Sequence, residues 1–80
     1  MNHKVVVFTQ PGCPPCDMLK LYLTAKGVPF EERDICCDKS AAHDLVHKYG
    51  SDSTPIVIVG DEVVEGFDPE RLDHLLDPAP

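Results

Sequence analysis

Basic charge and long apolar runs are what this sequence has least of. Its 80 residues carry 7 Lys and Arg against 14 Asp and Glu, a formal net charge of −7. Nucleic acids and anionic membrane surfaces are bound through clustered Lys and Arg. Neither is expected as a partner, and the acidic balance is read as solubility. After Met1-Asn2-His3-Lys4 only four consecutive apolar residues follow, Val5 to Phe8. That run is shorter than a signal-peptide core and far too short to span a bilayer. The chain is therefore expected to lack a targeting segment, to stay off membranes and to be cytoplasmic. Repeats and low-complexity stretches are also missing. A chain of this length makes one domain with a modest core and modest stability.

Cysteine, by contrast, occurs four times. In a cytoplasmic protein such cysteines are catalytic or metal-binding more often than a structural disulfide framework. Cys13-Pro14-Pro15-Cys16 directly follows an apolar β-like run, Lys4–Thr9, and directly precedes a helical pattern. A C-x-x-C at such a junction near a β-α-β pattern reads as a thioredoxin-like dithiol. The spacing lets two sulfurs close across one helical turn. It also aims the first sulfur at the unpaired N–H groups of the helix start.

Around this motif the chain divides into seven elements. Gln10-Pro11-Gly12 turns the first strand into a helix over Pro14–Lys26, with Leu19, Tyr22, Leu23 and Lys26 at helical spacing and Gly27 as its stop. Pro29–Ile35 is a weakly amphipathic strand, suited to a sheet edge. Asp38 caps a second helix, Lys39–Tyr49, with Ala42, Leu45, Val46 and Tyr49 as its apolar face. Pro55–Val59 is apolar on both faces and therefore central. Gly60-Asp61 turns into a short strand, Val63-Val64, and Pro69–Leu76 is a last helix burying Leu72, Leu75 and Leu76. Leu19, Leu23, Val46, Ile56 and Ile58 are assigned to the core. The order β-α-β-α-β-β-α implies an α/β fold with a mixed four-stranded sheet flanked by helices. The opening β-α-β requires a parallel pair with a right-handed crossover. The domain spans residues 1–76, with 77–80 as a tail.

Three blocks in this order resemble the glutaredoxin branch of the thioredoxin superfamily. They are Phe8 to Cys16, the strand-to-dithiol segment; Ser53-Thr54-Pro55 to Val59, like the family's T-x-P strand; and Gly66-Phe67-Asp68, like the loop that holds one end of glutathione. The resemblance implies a thioredoxin-like (glutaredoxin) fold and thiol–disulfide exchange. It implies a cis bond before Pro55, exposing the Thr54 backbone to an extended substrate. It places glutathione or protein substrate near Gln10, Pro15, Thr54, Pro55, Gly66, Phe67 and Asp68. Gln10 and Pro15 stand where many glutaredoxins have Lys and Tyr. Glu65 to Glu70 also resembles the S-G-F-R-P-D loop of NrdH-redoxins, which take electrons from thioredoxin reductase and supply ribonucleotide reductase, with Asp68 in place of their Arg. The Trp beside the thioredoxin active site is absent.

The chemistry follows from thiol ionisation. A free cysteine with a pKa near ~8.5 is about 3% thiolate at pH 7. Lowering the pKa to roughly 7 raises that about sixteenfold, of which about threefold survives the accompanying loss of nucleophilicity. Cys13, at the helix cap, is expected to be exposed and nucleophilic; Cys16, in the first turn, to be buried and to resolve the mixed disulfide. No Lys or Arg lies between Lys4 and Lys20, so the helix N–H groups must supply most of the activation.

Cys36-Cys37 is the least usual feature. It is a candidate auxiliary redox pair or site of regulatory oxidation, against the preferred reading of one half-buried small residue and one incidental exposed thiol. His43 and His47 suit a zinc site by their i, i+4 spacing, but adjacent cysteines are not the usual ligand spacing; they read as solvated, and no metal is expected. His3 and His74 belong to no constellation. The expectation is a monomeric thiol–disulfide oxidoreductase without bound cofactor, acting on disulfide-containing proteins, with glutathione as candidate co-substrate or thioredoxin reductase as donor. The alternatives are an NrdH-redoxin-like carrier and, in another class, a metal or iron–sulfur carrier, which the C-P-P-C motif argues against.

Overall fold

A computed structural model describes residues 4–51 and 53–76. The tail at 77–80 and His3 lie outside the described residues. The elements are β1 (Val5–Thr9), α1 (Pro14–Ala25), β2 (Glu31–Asp34), α2 (Lys39–His47), β3 (Ile56–Val59), β4 (Glu62–Glu65) and α3 (Pro69–Leu76). The strands lie in the order β2-β1-β3-β4. β1 runs parallel to β2 and antiparallel to β3, and β3 runs antiparallel to β4. β2 is an edge strand and β3 an inner one, as their patterns imply.

Alternation along the inner strands separates two cores. Val5, Val7, Val57 and Val59 join Leu19 and Leu23 of α1 and Leu72 of α3 on one face. Phe8, Ile56 and Ile58 join Ala41 and Leu45 of α2 on the other. The two crossovers thus pass on opposite sides of the sheet, and both faces are covered. Leu19, Leu23 and Leu72 are fully buried, each worth about 1.5–3 kcal/mol relative to exposure. Tyr22 fastens α1 to α3: its hydroxyl donates to the Asp73 carboxylate and to the Pro69 carbonyl at 3.2 Å. Arg33 fastens β2 to α2 through Asp44 at 2.7 Å and lies over the Phe8 ring at 5.3 Å.

The element boundaries shift for identifiable reasons. β3 starts at Ile56 because Pro55 has no N–H to give the ladder. Ile35 has left β2 for a turn, although its N–H still donates to the Thr9 carbonyl at 2.9 Å. β4 extends one residue beyond Val63-Val64 at each end, where Glu62 and Glu65 pair with Val59 and Ile56. α1 ends at Ala25 and α2 at His47. The apolar face assigned to α2 is corrected. Asp38 does cap the helix, accepting the N–H groups of Ser40 and Ala41. That start directs Ala41 and Leu45 at the sheet, while Val46, one residue and about 100° further round, is 50% exposed and not core. Leu75 and Leu76 are half-buried against the first core rather than fully enclosed.

Candidate active site

β1 delivers the chain to one end of the sheet, and Gly12, with φ of +70°, turns it in a conformation that costs an L side chain strain. Cys13 then takes the N-cap of α1 with extended backbone angles. Its Sγ accepts the Cys16 N–H at 3.3 Å, and its carbonyl accepts the Asp17 N–H at 3.2 Å. Cys13 and Cys16 form a disulfide with Cα atoms 5.2 Å apart, within the ~4.4–6.8 Å usual for such bonds.

Pro14 and Pro15 occupy the first two helical positions. Both suit the helix start sterically, but neither has an N–H. A general supply of helix N–H groups is therefore corrected to one: Cys16 N–H is what the first turn directs at the Cys13 sulfur. The exposure expected of Cys13 is corrected as well. With the disulfide closed Cys13 is 8% exposed and Cys16 1%, so both are buried and Cys13 is the more open.

A second chain segment completes the site. The Thr54–Pro55 bond is cis, as the resemblance implies. The Thr54 hydroxyl donates to Cys13 Sγ at 3.7 Å, across 41 residues of sequence. Gly66 N–H donates to the Pro55 carbonyl at 2.8 Å, which ties the loop after β4 to the segment carrying Thr54. Cys13, Cys16, Thr54, Pro55 and Gly66 are thus brought together. Phe67 turns its ring to the edge of Tyr22, with centroids 5.7 Å apart, and packs on the first core. Asp68 is exposed and accepts the Arg71 N–H at 3.2 Å, so one carboxylate oxygen secures the start of α3. Gln10 and Pro15 are exposed.

One polar cluster at the end of β1 escaped sequence reading. Thr9, at the end of β1, is 2% exposed and donates to Glu32 Oε2 at 2.9 Å. Lys20 of α1 reaches the same oxygen at 3.0 Å. Hydrogen bonds from Lys20 and then Thr9 hold the Glu32 carboxyl below its usual range, and the Glu32 bond holds Lys20 above its own. The first cation after Lys4 is therefore engaged by Glu32 and by Asp17, at 3.8 Å, rather than given to Cys13. A hydroxyl ending an otherwise apolar strand was the available signal.

Cys36 and Cys37 are both free and exposed, so the half-buried residue expected of that pair is not found. His43 and His47 stack at 4.3 Å between centroids on the outside of α2. Among the described residues no three or more His, Cys, Asp or Glu side chains are placed to hold a metal ion. No described helix is long and apolar enough to cross a membrane.

The glutaredoxin family model matches residues 5–64. The gene 56 protein of Mycobacterium phage L5 is 39% identical over 75 residues, a match spanning 91% of this chain and 72% of that protein. Among solved structures, the thioredoxin-like protein BC3987 matches with a TM-score of 0.87 at 44% identity, covering 90% of this chain and 99% of that one. The NrdH-redoxin from Escherichia coli matches with a TM-score of 0.83 at 30% identity, covering 96% of this chain and 99% of that one.

Proposed function

The chain belongs to the glutaredoxin family and is a thiol–disulfide oxidoreductase; on that premise we propose that it reduces protein and glutathione mixed disulfides, with Cys13 as nucleophile and Cys16 as resolving thiol. The observation that carries this reading is the Cys13 sulfur at the cap of α1, between the Cys16 N–H and the Thr54 hydroxyl. In the first step the Cys13 thiolate attacks one sulfur of the substrate disulfide. A Cys13–substrate disulfide forms and the other substrate sulfur leaves as thiolate. Cys16, deprotonated, then attacks Cys13 Sγ; the closed Cys13–Cys16 pair forms and the second substrate thiolate leaves. Two electrons have passed to the substrate, and a donor must return two.

The donor proposed first is glutathione, held along the rim of Gln10, Pro15, Thr54, Pro55, Gly66, Phe67 and Asp68. Asp68 supports it through an exposed carboxylate beside that loop. A second reading, reduction by thioredoxin reductase, is supported by near-complete mutual coverage with the E. coli NrdH-redoxin, a glutaredoxin-like protein with a thioredoxin-like activity profile. Uncharged Gln10 and Pro15 lean the same way.

The test is NADPH consumption with a small disulfide substrate under two donor systems, one of glutathione with glutathione reductase and one of thioredoxin reductase. Turnover with glutathione alone supports the first reading, and turnover with thioredoxin reductase alone supports the second. Cys16→Ser should accumulate a mixed disulfide and Cys13→Ser should be inactive. Full turnover by Cys13→Ser refutes both readings.

A further inference from the structure

Two imidazoles stand outside this chemistry. His43 and His47 are exposed on the outer side of α2, with rings stacked at 4.3 Å between centroids and planes inclined by 29°. Residues four apart share one helix face, so both rings address the same stretch of solvent. Asp44 stands beside them. Its Oδ1 lies 3.9 Å from His43 Nδ1, and its Oδ2 accepts from Arg33 at 2.7 Å. Arg33 of β2 thus anchors a carboxylate against one edge of the His43 ring. Spacing alone leaves the pair as solvated rings; the stacking and the anchored carboxylate are what the fold adds.

Each of these features suits a cation. A carboxylate at Nδ1 favours the tautomer with its proton there, which leaves the lone pair on Nε2. Metal-bound imidazoles commonly have such a carboxylate behind them. His47 ends α2, and the C-terminal turn of a helix carries partial negative charge. Two Zn–N bonds of ~2.0–2.1 Å at a tetrahedral angle hold their nitrogens about 3.3 Å apart. Rings stacked at 4.3 Å reach that by side-chain rotations that move each nitrogen about half an ångström. Calcium and magnesium take oxygen ligands, whereas imidazole selects late first-row ions. Among the described residues no group of three or more His, Cys, Asp or Glu is placed to hold an ion, so the two rings act as a pair.

We propose that His43 and His47 form an exchangeable binding site for a divalent zinc-class ion. Two water ligands leave the hydrated ion and two metal–nitrogen bonds form, each imidazole supplying one lone pair. No electron or proton is transferred, and water keeps the remaining positions. With two protein ligands the site holds its ion less tightly than a structural zinc site with four, so the ion exchanges with the surroundings. The dithiol plays no part in it.

The probe is Zn²⁺, added to isotope-labelled protein with Cys13–Cys16 oxidised and Cys36 and Cys37 alkylated by iodoacetamide. No thiol then competes, and the outcome is independent of the proposed enzymatic function. In nuclear magnetic resonance spectra the imidazole nitrogens of His43 and His47 should shift together, saturate at one ion per chain and return when EDTA is added. His43→Ala and His47→Ala should each weaken binding by about tenfold or more, at least the loss that follows removal of a supporting partner of a ligand. Both side chains are exposed, so the variants keep the fold. Three results overturn the proposal: no shift of either ring at a large excess of Zn²⁺, a shift of one ring alone, or undiminished binding in either single variant.

Discussion

Replacing Pro15 by Ala should make Cys13 more acidic. Pro15 is the second helical residue, a position whose N–H ordinarily points back at the capping side chain. In the native chain that donor does not exist, and Cys13 Sγ has only the Cys16 N–H from this turn, at 3.3 Å. Ala keeps the helix and restores the donor. A hydrogen bond to a charged acceptor contributes about 1.5–3 kcal/mol when well made; at the rim of a helix start, about 1 kcal/mol is a fair figure, close to the helix-terminus effect itself. One kcal/mol is about 0.7 of a pKa unit. Below the pKa the thiolate population then rises about fivefold, nucleophilicity falls about twofold, and attack speeds up by roughly 2.5-fold. Above the pKa, where the reduced form is thiolate, it gains the same stabilisation, which raises the reduction potential by about 20 mV. The assay is the ultraviolet absorbance of the Cys13 thiolate against pH, read in the Cys16→Ser background with and without Pro15→Ala, together with alkylation rates. A Cys13 pKa that is unchanged or higher in the Ala variant refutes the donor argument, and with it the view that the prolines limit activation.

Two further outcomes test other contacts. Thr54→Val keeps the shape but removes the hydroxyl 3.7 Å from Cys13 Sγ; Cys13 pKa should rise by less than about 1 unit, the loss of one weak hydrogen bond, and an unchanged titration would show that the hydroxyl does not reach the thiolate. The Glu32 carboxyl is held below its usual range by Lys20 and Thr9, so its stabilisation is complete above the unfolded-state value of about 4.3 and drains away as pH falls through the lower folded-state value. Glu32→Gln should therefore flatten the acid side of the urea-midpoint profile, by under about 1 kcal/mol for so exposed a pair, and parallel profiles for the two proteins would contradict it.

The elements, their order and the dithiol were legible because each rests on short-range pattern. Gly12 and the prolines mark a strand-to-helix turn, Asp38 is a capping residue in front of its helix, and β1 and β3 are short, almost wholly apolar runs. Cys13 and Cys16 were legible because one helical turn brings residues three apart together whatever surrounds them. Other features came from long-range packing, which no local pattern encodes. Val46 and Ala41 are both apolar residues on one helix, and only the approach of α2 to the sheet chose Ala41 for the core. Thr54 meets Cys13 across 41 residues, and Thr9, Glu32 and Lys20 meet from three different elements. The number of donors facing the Cys13 sulfur lies between these cases. Two prolines in the sequence already remove two N–H groups, but only the folded turn shows that the remaining help is the Cys16 N–H and the Thr54 hydroxyl. Sequence determined which atoms exist to do the chemistry; tertiary structure decided which of them lie within reach of the sulfur, because hydrogen bonding falls away within an ångström and spatial neighbours are often distant in the chain.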